Sequence, residues 1–146
     1  MEELPEYNRA PLVTAVALPT QTTIVLVVED DRQAREMFRT ALRAQGYKVV
    51  AVEDGLDALK FLEAQTPAAV VLDLGLPRLH GGDVLREMAS RGLTHAVPVI
   101  IVTGESRPIL NELDFACVLR KPISAEELIA AVRGCIAKAR SHPPQF

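Results

Sequence analysis

Cysteine is scarce: Cys117 and Cys135 are the only two in a chain of 146 residues. Two thiols that far apart in sequence do not make a disulfide framework or a zinc site, and a reduced intracellular compartment is expected. Long apolar runs are missing as well, and none approaches the roughly 20 residues that span a bilayer. The short patch LVTAVAL (12–18) follows acids and has no basic leader, so it does not read as a signal peptide. A basic excess is also absent. Against 16 Lys and Arg stand 19 Asp and Glu, a formal charge of −3, which excludes general nucleic-acid binding through a basic surface. Internal repeats and low-complexity segments are lacking too. What remains is a cytoplasmic domain whose 49% apolar content suffices for a proper core.

Residues 1–22, with Pro5, Pro11 and Pro19, show no helical period and read as an N-terminal extension; 141–146 read as a plain tail. Between them, strands and helices alternate. TIVLVV (23–28), KVVAV (48–52), AAVVL (68–72), VPVIIV (97–102) and ACVLR (116–120) are Val/Ile-rich strand candidates. Helical spacing appears at 31–45, stopped by Gly46, at 56–65, around Val84, Leu85 and Met88 up to Gly92, in a short piece at 109–113, and at 124–140. Ser124 with Glu127 has the form of a capping box. Near-continuous apolar strands alternating with helices indicate a parallel sheet covered on both faces. A doubly wound α/β domain over 23–140, with strand order 2-1-3-4-5, is the leading topology. Its ligands would sit at the carboxyl ends of the strands.

Those ends carry chemistry. The first strand runs into Glu29, Asp30 and Asp31, the third into Asp73, the fourth into Thr103 and the fifth into Lys121. Clustered carboxylates repel one another unless protonated or paired, and they favour a hard divalent cation such as Mg²⁺. A lysine and a hydroxyl beside them suit a phosphoryl group, and an Asp can accept one. Asp31 is assigned instead to capping the first helix, and Asp54 to capping the second. His80 reads as a solvated loop residue and Cys117 as a small core residue.

Taken together, VVEDD, VLDLGLP, VTG and RKP, in this order on this βα alternation, resemble the receiver (CheY-like) domain of bacterial response regulators. The resemblance covers residues 23 to 140. It implies that Asp73 is the phospho-acceptor, that Thr103 is the switch hydroxyl and that Lys121 pairs with the phosphate. It also implies Mg²⁺ held by Asp30, Asp73 and the backbone carbonyl of Gly75, with Glu29 acting through water, and a cis Lys121–Pro122 bond. The implied partners are a sensor histidine kinase or histidine phosphotransfer protein and an output protein, without nucleic acid or membrane. The domain would be a stand-alone signalling module, not an enzyme acting on outside substrates. A phosphorylation-independent interaction module is the alternative.

Departures from the family pattern bear on that choice. Val118 stands where many receivers place an aromatic ring that swings inward. The Thr103-to-Lys121 spacing is about four residues short of the common pattern, roughly one turn or ~6 Å of helix. A dimer through that face is therefore not expected. Gly75 and Glu105 occupy positions that tune phosphate lifetime in the family.

Overall fold

A computed structural model describes residues 23–104 and 115–141. The expected extension at 1–22, the short helix at 109–113, Glu105 and residues 142–146 lie outside the described residues. Five strands form one parallel sheet: β1 (Ile24–Val28), β2 (Lys48–Val52), β3 (Ala69–Asp73), β4 (Val99–Thr103) and β5 (Cys117–Arg120), in the expected order β2-β1-β3-β4-β5. The described helices are α1 (Arg32–Ala44), α2 (Gly55–Ala64), α3 (Gly81–Ser90) and α4 (Ala125–Ser141), with a 3-10 turn at Leu93–His95.

The Val/Ile runs become strands because branched side chains pack well on a pleated surface that is covered on both sides. Alternate residues then serve opposite cores. Leu26, Val28, Val70, Leu72 and Ile101 pack with Ala58 and Leu62 of α2 and Val84, Leu85 and Met88 of α3. Val25, Val27, Val71, Ile100 and Val102 face Phe38 and Leu42 of α1 and Leu128, Val132 and Ile136 of α4. Both central strands next to the crossover, β1 and β3, are buried nearly throughout, whereas the edge strand β5 alternates half-buried with exposed.

Local signals set the helix ends. The Asp31 carboxylate accepts from the Ala34 amide at 2.8 Å, and the Asp54 carboxylate accepts from the Asp57 amide at 2.9 Å. Ser124 and Glu127 bond reciprocally, at 2.9 and 3.0 Å, as the capping box requires. Gly46, at φ 96, takes the left-handed turn after α1 that a Cβ would resist.

One expectation needs correction, and one contact was not foreseen. His80 is not simply a solvated loop residue: it is the N-cap of α3, and its Nδ1 accepts from the Gly82 amide at 3.0 Å. Nor are Cys117 and Cys135 remote from each other. Packing of α4 on β5 brings their sulfurs to 3.9 Å, because sequence distance does not limit contact between a strand and the helix laid across it.

Candidate functional site

Parallel strands deliver their carboxyl ends to one edge of the sheet, and register decides which residues become neighbours. β1 pairs with β3 so that Val28 lies opposite Leu72; β3 pairs with β4 so that Asp73 lies opposite Val102. Glu29 and Asp30 follow β1, Asp73 and Thr103 end β3 and β4, and Lys121 follows β5. The charged members of the predicted set, Glu29, Asp30, Asp73 and Lys121, therefore converge. Carboxylate oxygens of Glu29, Asp30 and Asp73 all lie within 4.8 Å of one another.

Burial differs sharply within the cluster. Glu29 and Thr103 are fully buried and Asp73 nearly so, while Asp30 is exposed. Lys121 Nζ sits between two acids, 2.9 Å from Glu29 Oε1 and 3.3 Å from Asp73 Oδ2. The remaining Glu29 oxygen accepts from the Asp31 amide at 3.0 Å, and Asp73 Oδ1 accepts from the Gly75 amide at 3.0 Å. Arg35, on the first turns of α1, donates to the Glu29 carbonyl at 3.0 Å and so fixes the turn that presents the acids. The Lys121 amide donates to the Thr103 carbonyl at 2.8 Å, and the Lys121–Pro122 bond is cis, as expected.

Electrostatics set the charge balance of the cluster. Two like charges 4.8 Å apart repel by about 3 kcal/mol at an effective dielectric of about 20. One ammonium bridging two of three carboxylates leaves an excess of negative charge. Burial pushes Glu29 up to about 7, only partly countered by the Lys121 contact and the Asp31 amide, while the Asp73 charge adds to the rise. For Lys121, burial alone would lower the pKa; the close Glu29 contact and the charges of Asp73 and Glu29 outweigh it and raise the net value. Glu29 Oε1 has the ammonium as a close ion-pair partner but no aligned hydrogen bond. A buried, under-bonded oxygen among three convergent carboxylates is the donor set of a hard divalent cation. Gly75 borders the same opening: a Cβ there would meet only Asp73 Oδ1, at 3.9 Å.

The loop after β3 is held by residues that the sequence did not single out. Arg78 adopts φ 63, unfavourable for a residue with a Cβ, and its guanidinium pairs with Asp54. The Asp57 and Leu56 amides and Arg78 together hold the Asp54 carboxyl below the usual range. Asp54 is thus both the cap of α2 and an anchor for the loop beyond Asp73, and it stands apart from the acid cluster. Gly81 lets the N-terminus of α3 rest on the backbone of Asp73 and Leu74: a Cβ would overlap the Asp73 carbonyl oxygen, and the Gly81 amide donates to the Leu74 carbonyl at 3.0 Å. Val118 lies 37% exposed on β5, with no ring to reorient.

Known proteins resemble this chain in sequence and in fold. The chain is 36% identical over 122 residues to the response regulator MprA of Mycobacterium ulcerans, an alignment covering 80% of this chain and 51% of that protein. It is 38% identical over 120 residues to MprA of a Mycobacterium sp. (strain KMS), covering 78% and 50%. The chain thus spans about half the length of these curated relatives. Among solved structures, the signal receiver domain of a LuxO-type repressor protein from Vibrio parahaemolyticus superposes with a TM-score of 0.75 at 29% identity, covering 82% of this chain and 94% of that one. The receiver domain of the sensor histidine kinase PA1611 from Pseudomonas aeruginosa gives 0.71 at 28% identity, covering 80% and 98%, and holds a magnesium ion in its active-site cleft. The family model of the response regulator receiver domain matches residues 25–133, which include every member of the acid–lysine cluster, and it is to that family that this chain belongs.

Proposed function

We propose that this domain accepts a phosphoryl group on Asp73 from the phosphohistidine of a sensor histidine kinase or a histidine phosphotransfer protein. The modification then biases its surface toward an output protein. The observation that carries the reading is the setting of Asp73: at a strand end, beside two further acids, with the Lys121 ammonium 3.3 Å from Oδ2.

In the transfer, an Asp73 carboxylate oxygen attacks phosphorus. The O–P bond forms as the P–N bond breaks, and the imidazole leaves with the electron pair and takes a proton from solvent. The product is a carboxylic–phosphoric anhydride. Lys121 shifts its charge from the two carboxylates to the new phosphoryl oxygens, and Thr103 offers a hydroxyl from the end of the adjacent strand. Glu29, Asp30, Asp73 and the Gly75 carbonyl would hold Mg²⁺, Glu29 through water. When bound, the ion neutralises charge on the transferring group.

On this reading the functional unit is residues 23–140, with 1–22 an extension and 141–146 a tail. Its only catalysis is self-phosphorylation from a donor, in the cytoplasm, with no direct nucleic-acid or membrane partner. No helix among the described residues is long and apolar enough to cross a membrane. The intact acid–lysine cluster favours this reading over a phosphorylation-independent interaction module.

Incubation with acetyl phosphate and Mg²⁺ tests it. The expected product is about 80 Da heavier, and the adduct is lost in Asp73→Asn. Absence of the adduct at saturating Mg²⁺ would overturn the proposal and leave the interaction module.

A further inference from the structure

The two thiols sit on the opposite half of the β5–α4 packing from the acid cluster. Cys117 opens β5, and its strand alternation turns it, with Leu119, toward the α1–α4 core, while Val118 and Arg120 point away. Cys135 lies on α4 three residues beyond Val132, on the flank of the same packed stripe. Both side chains are half-buried, both are free thiols, and the Cys135 S–H donates weakly to Cys117 Sγ at 3.9 Å. A groove of about 720 Å³, lined among others by His95, Pro98, Phe115 and Gly134, opens onto the pair. Small reagents therefore have a path to both sulfurs.

We propose that Cys117 and Cys135 form a redox-active pair that closes reversibly into an intramolecular disulfide, stapling the edge strand β5 to α4. A disulfide needs the sulfurs at about 2.05 Å, so each must move by only about 1 Å from the observed contact. The oxidant is a peroxide. The Cys135 thiolate attacks one peroxide oxygen and the O–O bond breaks; the alkoxide or hydroxide leaves with the electron pair and takes up the proton the thiol released, leaving a sulfenic acid at Cys135. Cys117 sulfur then attacks the sulfenic sulfur; the S–S bond forms, and the hydroxyl departs with the Cys117 proton as water. Two thiols lose two electrons, and one peroxide is reduced. A dithiol reverses the step by exchange.

Burial, and then the neighbouring Cys135, raises the Cys117 thiol, which favours Cys117 as the resolving sulfur; with the sulfurs 3.9 Å apart the pair closes whichever is oxidised first. The strand fixed in this way is the one that leads into Lys121, so the staple restrains an element of the acid cluster without touching it.

The test uses the reduced full chain at low micromolar concentration, exposed to hydrogen peroxide and then alkylated with a maleimide in denaturant. The expected product is a monomer about 2 Da lighter with neither thiol labelled, restored by a dithiol. Trypsin should release peptide 134–138 joined to the peptide that ends at Arg120. The cross-link should form at least about 10-fold faster in the native protein than in guanidinium, because folding holds the sulfurs together. Cys117→Ala and Cys135→Ala, each checked for folding by circular dichroism, should give only sulfur oxides or intermolecular dimers. Two thiols that oxidise independently, stay fully labelled, or cross-link no faster when folded would overturn the proposal; the wild-type result decides even if a variant fails to fold.

Discussion

Replacing Gly81 by alanine should damage both the fold and the site, and the structure sets the size of the effect. The added Cβ would overlap the Asp73 carbonyl oxygen and lie 2.7 Å from Leu74 Cα. Comfortable carbon–carbon contacts are about 3.5–4.0 Å, so the second contact alone is about 1 Å too close. Both obstacles are backbone, and no side-chain rotation relieves them. The start of α3 must back away, straining the packing by about 1–3 kcal/mol. The Gly81–Leu74 hydrogen bond weakens with it, adding about 1 kcal/mol. A total near 3 kcal/mol, divided by a urea slope of about 2 kcal/mol per molar, lowers the unfolding midpoint by about 1.5 M. The chain has no tryptophan, so far-ultraviolet circular dichroism is the suitable probe. Gly134→Ala is the control. It sits on the exposed side of α4 with nothing within 4 Å of the new methyl, and it should stabilise by about 0.5–1 kcal/mol. A Gly81→Ala midpoint within about 0.3 M of wild type would refute the close-approach argument.

Other outcomes follow from the same contacts. Leu85→Ala, at a fully buried position of α3, should cost about 2–5 kcal/mol in urea unfolding. Ser124→Ala removes one half of the capping box on α4 and should cost about 1 kcal/mol, with Glu127→Ala similar and the double variant less than additive. The Asp54 carboxyl is held below its unfolded value, so its stabilisation is present above about pH 4 and fades as pH falls through the folded pKa. Acid titration of Asp54→Asn should accordingly show a flatter loss of stability below about pH 4 than wild type. Lys121→Ala leaves Glu29 and Asp73 without their shared ammonium; it should retain the acceptor but slow or destabilise the adduct measured by intact mass.

Much of this site was legible in the sequence because each member stands where a strand ends. The Val/Ile runs located the strands, the alternation with helices made them parallel, and a parallel sheet brings Glu29, Asp30, Asp73, Thr103 and Lys121 to one edge. Asp31 and Asp54 were legible as caps because a short acid before a helical period has a local partner in the amide three residues on. Arg78, Arg35, His80 and Gly81 were not legible. Their roles depend on the path of the β3–α3 loop and on the reach of long side chains, and no periodic pattern encodes either. Sequence separation gave no hint of the Cys117–Cys135 contact, where a helix crossing an edge strand closes the gap.

The central claim is that the carboxylate of Asp73, and no other acid of the cluster, receives the phosphoryl group. Borohydride reduces an acyl phosphate to the alcohol, so it marks the acceptor itself. After treatment with acetyl phosphate and Mg²⁺ followed by borohydride, peptide mapping should find homoserine at position 73, about 14 Da lighter than aspartate. Reduction at Asp30 instead, or none anywhere in a protein that carries the adduct, would contradict the account.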